Sequence, residues 1–463
     1  MLLEKISFAS VDRRVLCRAD SGLQRCTSGN RASRLTVLEP KKSACWEGCM
    51  NGLANILLRV CLTVSVVIFS IPVAYAAVPL LPLCSWPVES TGQGFLNVAT
   101  QDTNTTYWFM PIDTSRWKSV TIHGTYPNAR LFNYATYGPT GLLIDTLLDE
   151  DIIPDNGSAN PFTTATAAES NTYTVTVGPG SAGASNLLST GGSRLIYVIY
   201  RVIVPDKGLD RGGGVDVPSV TLVAQDGTER RLRACPFASA ESSLGGMIPI
   251  LIASGFSQAA NFLQKILDAA HQRTSLTGSC NTASQPVRPA ALNFGPAPGT
   301  DFFPNPPTAY LQTPNECFHA NEVIVVRGKA LVFPKTHVGG SISDPAFGGQ
   351  IEARYWSMCN NDGVFPYPVI ACAGDFQTKL DKDQYYTYVV STDPAPAETT
   401  WLPWGPTNLP VTLILRSISF DPKYETIPSD YYPQGVICDK TVLTAQGWQG
   451  CFAAAGVKVA TGP

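Results

Sequence analysis

The sequence predicts a mainly β protein made of two homologous antiparallel β-sandwich domains, jelly-roll-like, that arose by internal duplication and are joined by a helix and a Pro-rich linker. Three observations predict it. The 463 residues include 39 Gly, 36 Pro and 17 Tyr, a composition that favours strands and turns over long helices. Short β-branched and aromatic runs recur between strong turn signals. A motif, with its downstream spacings, also occurs twice. With 44% apolar and only 15% charged residues, the chain is not a disordered one. A formal net charge of −3 leaves no basic surplus to grip phosphates, so nucleic acid is not an expected partner.

Ile56–Ala77 is the long apolar run of the chain. Arg59 precedes a continuous apolar core, Val60–Pro72, and Ala74-Tyr75-Ala76 supplies a small-x-small cleavage pattern. Residues 50–76 therefore read as a secretory signal removed after Ala76, which suits Pro72 and the small residues better than a membrane anchor. Residues 1–49 hold nine Lys+Arg and five Asp+Glu with no sustained apolar period, and Met50 stands where a signal would begin. They read as a misassigned extension. The expected location is secreted or periplasmic, with no membrane span after cleavage. Removing ten basic and five acidic residues leaves 23 Lys+Arg against 31 Asp+Glu in the mature chain.

Eight cysteines remain after the signal, and an even number in an exported chain favours disulfides. Cys359/Cys372 and Cys438/Cys451 are each 13 apart, a spacing that closes a local loop. Cys84, Cys235, Cys280 and Cys317 form the remaining bridges in an order the spacing leaves open. There is no C-x-x-C pair to suggest a metal site.

The first domain is expected over 77–235, the helix and linker over 236–314, and the second domain over 315–463. In the first, Trp117–Gly124 alternates weakly, Arg130–Tyr137 is aromatic-rich, and Thr172–Val177 alternates Tyr/Val with Thr. Leu195–Val204 is continuously apolar except for Arg201, as suits a strand buried on both faces. Tyr385–Ser391 and Val411–Phe420 play the corresponding parts in the second. Turns are marked by Tyr137-Gly138-Pro139, Asp155-Asn156-Gly157 and Asn361-Asp362-Gly363. Between the domains, apolar residues at three- and four-residue steps predict a helix over Ala253–Gln272 with Ser257 as N-cap. Thr274–Pro314, rich in Pro, Thr, Asn and Gly, reads as linker or extended loop.

The duplication rests on spacing. Gly124 and Gly348 each open a Gly-x4-Ala-Arg-apolar-aromatic motif containing Arg130 and Arg354. Asp151 and Asp375 follow those arginines by 21 residues in both copies. Tyr173, Leu187, Arg201 and Asp206 then match Tyr388, Leu402, Arg416 and Asp421, and residues 172–206 share ten identities with 387–421 without gaps. Two copies are too few for a solenoid, so paired domains follow.

Ala353-Arg354-Tyr355-Trp356-Ser357, Thr400-Trp401-Leu402-Pro403-Trp404-Gly405 and Leu415-Arg416 resemble the C-terminal domain of exported bacterial proteins known as domains of unknown function, of the twelve-fourteen type, often paired with the twelve-fifty-four type. Ala129-Arg130 through Ile144-Asp145, with Tyr200-Arg201, is similar to a diverged relative. The likeness covers about 100 residues of each half. It implies a β-rich, sandwich-like fold and no catalytic assignment. The first copy departs at Asn186-Leu187-Leu188, where the second has Trp401-Leu402-Pro403.

Several constellations bear on chemistry. Gly255-Phe256-Ser257-Gln258-Ala259 follows an apolar run and precedes a helix, the order of a nucleophile elbow, but no βαβ alternation surrounds it and Pro249 interrupts the supposed strand. Ser257 is thus the one weak catalytic candidate, with His271, His319 and His337 downstream. Asp149, Asp151, Asp155 and Asn156 offer hard oxygen ligands in a turn and form a weak calcium candidate, without the spacing of an EF-hand. No other cofactor is expected. Arg130, Asp151 and Arg201, with Arg354, Asp375 and Arg416, read as an Arg–Asp structural clamp inside each half, since a charge on a buried strand needs a partner. The aromatics of Tyr385–Tyr388 and Trp401–Trp404 could stack on sugars. The expected function is a secreted, non-catalytic binding or structural protein with an unidentified extracellular ligand. The alternative is an extracellular hydrolase using Ser257 or loop carboxylates.

Overall fold

The computed structural model describes residues 81–164, 170–235, 240–272, 280–297, 303–418 and 427–459. The expected signal and extension, and Asp421, lie outside the described residues. Among these residues the chain is mainly β, with four five-stranded sheets and three α-helices.

The first half carries two sheets. One runs β1 (Val88–Ser90), β2 (Thr105–Asp113), β8 (Leu195–Pro205), β4 (Ala129–Tyr137) and β5 (Leu143–Leu148). The other runs β10 (Glu229–Arg231), β9 (Ser219–Ala224), β3 (Trp117–Thr125), β6 (Thr172–Gly178) and β7 (Leu187–Ser189). In the second half the orders are β12 (Gly295–Pro296), β13 (Thr308–Gln312), β19 (Val411–Ile418), β15 (Tyr355–Asp362), β16 (Val369–Gly374), and β11 (Ala290–Asn293), β20 (Gln434–Asp439), β14 (Glu322–Lys329), β17 (Tyr385–Ser391), β18 (Thr400–Pro403). Pairing is antiparallel except for β6 with β7 and β17 with β18, which are parallel. The stretch expected as linker is therefore largely structural. It supplies β11, β12 and β13, and proline fits there because β11 and β12 are edge strands.

Burial explains the strand patterns. Phe132, Tyr134, Val198 and Tyr200 join Ile122, Tyr173 and Val220 in one apolar cluster drawn from both sheets of the first half. Trp356, Met358 and Leu415 do the same with Ile324, Val326 and Tyr388 in the second. The intervening residues of β4 and β8 are buried as well. Ala135, Tyr137, Tyr197 and Ile199 lie under a helical pair, α1 (Ala240–Ala253) and α2 (Ser257–Gln272). Leu131 and Ile203 meet Tyr355 and Ile418 of the second half. Both faces of β8 are covered, so its sequence is continuously apolar rather than alternating. A third helix, α3 (Lys440–Ala454), covers β14 and β20 on the far side through Leu443 and Phe452.

The helix expected over Ala253–Gln272 runs over Ser257–Gln272, and a second helix, Ala240–Ala253, precedes it. The chain turns at Ser254-Gly255, where Gly255 takes a φ of +83° that a side chain would strain. Ser257 is the first residue of α2, not its cap. Four disulfides are present: Cys84–Cys235, Cys280–Cys317, Cys359–Cys372 and Cys438–Cys451. The two pairs with the 13-residue spacing join as expected. No helix among the described residues is long and apolar enough to cross a membrane.

The arginine clamp is built differently from the expectation. Arg130 Nη1 donates to Asp375 Oδ2 at 2.8 Å and to the Arg354 carbonyl at 3.0 Å. Arg354 reciprocates: its Nη1 and Nη2 donate to Asp149 Oδ1 and Oδ2 at 2.6 and 2.8 Å, and Nη2 to the Arg130 carbonyl at 2.9 Å. Each arginine thus pairs across the halves, not within its own, and the first-half carboxylate is Asp149 rather than Asp151. Asp151 is exposed. The reason is hairpin length. Asp149 accepts from the Phe132 amide and Asp375 from the Trp356 amide, each two residues past its arginine. Asp149 follows Phe132 by 17 positions and Asp375 follows Trp356 by 19, so the β15–β16 hairpin is two residues longer. The matching spacing of 21 aligned residues that are not equivalent in register.

Arg130 and both carboxylates have fully buried side chains, and that of Arg354 is 3% exposed. Burial pushes the Asp375 carboxyl above its ordinary value, against the pull of Arg130. Removing one partner from such a pair leaves a buried charge uncompensated. Arg354→Ala is therefore expected to lower the free energy of unfolding by about 3–5 kcal/mol, read from urea denaturation. Adding Asp149→Ala to it should cost much less than Asp149→Ala does alone, because the two sites are coupled.

Candidate functional site

A cavity of about 690 Å³ opens where the halves and the helical pair meet. Most of its wall is apolar, with Val98 and Ile199 from the first half, Leu244 of α1, and Leu263 and Ile266 of α2. Two arginines line it, Arg201 of β8 and Arg416 of β19. Both come from the faces of their sheets turned away from the two apolar clusters that take in Tyr200 and Val202, and Leu415. The register around them is the same. Arg201 stands opposite Tyr107 on β2 and Asn133 on β4. Arg416 stands opposite Tyr310 on β13 and Ser357 on β15. Each guanidinium lies over the tyrosine opposite it, at 5.7 and 5.9 Å from the ring centroid.

The two differ in charge balance. Arg416 Nη1 is 3.5 Å from Asp102 Oδ2, and its Nη2 donates to the Thr100 carbonyl at 2.8 Å. Asp102 Oδ2 also accepts from Ser357 Oγ at 2.6 Å and Tyr355 Oη at 3.0 Å. Among the described residues Arg201 has no carboxylate partner. Its Nη2 donates to Tyr137 Oη at 2.7 Å and the Phe303 carbonyl at 3.4 Å, while Nε and Nη1 make no hydrogen bond. Burial raises the Tyr137 pKa, with Arg201 pulling the other way, so the phenol is neutral and supplies no counter-charge. Neither arginine takes the fold-clamp role expected from the sequence, since neither pairs with Asp151 or Asp375.

The other candidates do not assemble. Ser257 is exposed at the start of α2 and none of the described histidines is hydrogen-bonded to it. His123 meets Thr174, His271 packs beside the Phe95 ring, and His337 meets the Pro205 carbonyl. The calcium candidate is not formed, because Asp149 is engaged by Arg354 while Asp151 and Asn156 point to solvent. Of the sugar-stacking candidates, Tyr386, Tyr388 and Trp404 are core residues and Trp401 is exposed. No motif or periodicity marks the cavity, whose wall comes from strands, loops and helices distant along the chain. The interruption of an apolar strand by Arg201 was the one legible signal.

A second polar cluster gathers Glu316, His319 and Glu322 beside the Cys280–Cys317 disulfide. Glu322 Oε2 accepts from the His319 amide at 2.8 Å and lies 2.7 Å from its Nδ1.

No protein-family model matches the chain, and no curated protein matches it. The chain is similar to the solved structure of an uncharacterised protein from Burkholderia cenocepacia, at 13% identity and a TM-score of 0.48, over 77% of this chain and 82% of that one. It is also similar to a protein of Vibrio parahaemolyticus, at 13% identity and a TM-score of 0.36, over 73% of this chain and 89% of that one. Neither likeness bears on function.

Burial first, and then the neighbouring Glu316, push the Glu322 carboxyl up to about 8, with the His319 amide opposing them. A folded-state value above the ordinary 4.5 means that the folded chain holds this proton more tightly than the unfolded chain. Its contribution to stability is full below about 4.5 and is lost as pH rises through about 8. The melting temperature should decline across that window, and Glu322→Gln should flatten the decline. An unchanged slope in the variant would assign the pH dependence to other groups.

Proposed function

We propose that this chain is an exported, non-catalytic binding protein, built from two duplicated jelly-roll-like β-sandwiches, whose cavity between the halves holds a small ligand. The cavity carries the reading. Protein interiors are packed like organic crystals, and a space of about 690 Å³ is of the size that small-molecule sites have. Its mainly apolar wall with a few convergent polar groups is the usual make-up of such sites.

Supporting the duplication are the matching strand orders of the two halves and the common register of Arg201 and Arg416 against their neighbours. The resemblance to exported bacterial domains of unknown function fits the same reading. Export accords with four disulfides, which persist in oxidising compartments. The hydrolase alternative has no comparable support, since Ser257 stands apart from any described base.

The neutral dye N-phenyl-1-naphthylamine tests the cavity. Saturable fluorescence enhancement with one dye per chain is expected, and Leu263→Trp or Ile266→Trp, which fill the space, should abolish it. Enhancement that never saturates, or that survives both substitutions, would overturn the assignment.

A further inference from the structure

The two halves present the same framework to the cavity but not the same charge, and the difference points to the ligand. Asp102 lies five residues before Tyr107, and Asn305 lies five before Tyr310. The carbonyl of each accepts from the amide three residues on, Thr105 at 3.1 Å and Thr308 at 2.9 Å. Each side chain then crosses to the other half. Asp102 Oδ2 accepts from Ser357, the residue opposite Arg416. Asn305 Oδ1 accepts from Asn133 Nδ2 at 2.8 Å, and Asn133 is the residue opposite Arg201. Asp102 and Asn305 hold equivalent places, one as a carboxylate and the other as an amide.

The consequence is electrostatic. Arg416 has its counter-charge within the protein. Arg201, only 2% exposed, has two neutral phenol rings at 5.7 and 5.6 Å, two neutral oxygens and, among the described residues, no anion. A guanidinium withdrawn from water without a counter-ion is strongly disfavoured. An anion in the cavity would relieve it, and Arg pairs best with a planar two-oxygen acceptor.

Resting on the reading of the cavity as a ligand site, we propose that Arg201 is its anion receptor and that the ligand is an amphipathic carboxylate. Its carboxylate supplies the charge that Asn305 lacks. Its hydrocarbon body lies against Leu244, Leu263, Ile266 and Ile199. A carboxylate is specified over other anions because that is the group Asp102 presents at the equivalent place.

The test is competition against bound N-phenyl-1-naphthylamine at neutral pH, with decanoate, decan-1-ol and decyl phosphate as competitors. Decanoate should displace the dye at about tenfold lower concentration than decanol, the scale of one charge-assisted hydrogen bond. Asn305→Asp installs the missing carboxylate in a side chain of the same shape, which still accepts from Asn133. In that variant the preference for decanoate over decanol should vanish, and Arg201→Gln should do the same. Equal potency of decanoate and decanol on the unaltered chain would overturn the anion receptor while leaving the cavity a binding site. A preference that survives Asn305→Asp and Arg201→Gln would remove Arg201 from the role. Stronger displacement by decyl phosphate would overturn the carboxylate. Failure of the dye itself to bind would instead bring down the cavity reading, and this proposal with it.

Discussion

The exchange of Arg130 and Arg354 between the halves is the constraint on which the rest of the structure depends. Each guanidinium ends on the other half's carboxylate and the other arginine's carbonyl, with both carboxylates fully out of water. Such an arrangement is satisfied only at one relative placement of the two halves. Ion pairs of this kind contribute little net stability when set against apolar packing, but they penalise every alternative docking by stranding a charge. Here they hold the outward faces of two sheets together around a small apolar contact of Leu131, Ile203, Tyr355 and Ile418.

Fixing that placement creates the cavity. A sheet edge or face left to water would carry polar residues, whereas β8 and β19 are buried on both sides. One side belongs to the apolar cluster of its own half and the other to the junction and the helical pair. The junction is packed at Leu131 and opens beside Ile203 and Ile418, where Arg201 and Arg416 line the space. Rigid strands with a shared register position both arginines. The loops that carry Asp102 and Asn305 decide whether each is neutralised.

Two strand frameworks with the same register have a simple route to asymmetry. Replacing a carboxylate by an amide at one of two matching places keeps the hydrogen bond to the facing side chain, as Asn305 does with Asn133. It removes the charge while preserving the geometry. The surrounding structure need not change for one arginine to be neutralised within the protein and the other to be left without a carboxylate among the described residues.

Much of this chain was legible along the sequence because strands obey local rules. Leu195–Val204, Thr172–Val177 and Tyr385–Ser391 announced themselves by β-branched and aromatic runs, and the short cysteine spacings closed local loops. The recurrence of Arg130 with Arg354 and of Arg201 with Arg416 was visible for the same reason: register within a sheet fixes the facing side of every residue, so strand spacings resist drift. What the sequence could not carry was partnership. The equal spacing to Asp151 and Asp375 named the wrong first-half carboxylate, because a hairpin turn can differ by two residues without disturbing the strands it joins. Whether an arginine pairs within its half or across the junction depends on how the halves dock, which no one-dimensional interval encodes. The cavity belongs to the same category. Its wall is gathered from positions as distant as Val98 and Arg416, and the difference in charge between Asp102 and Asn305 matters only when tertiary packing sets each beside the other half's strands.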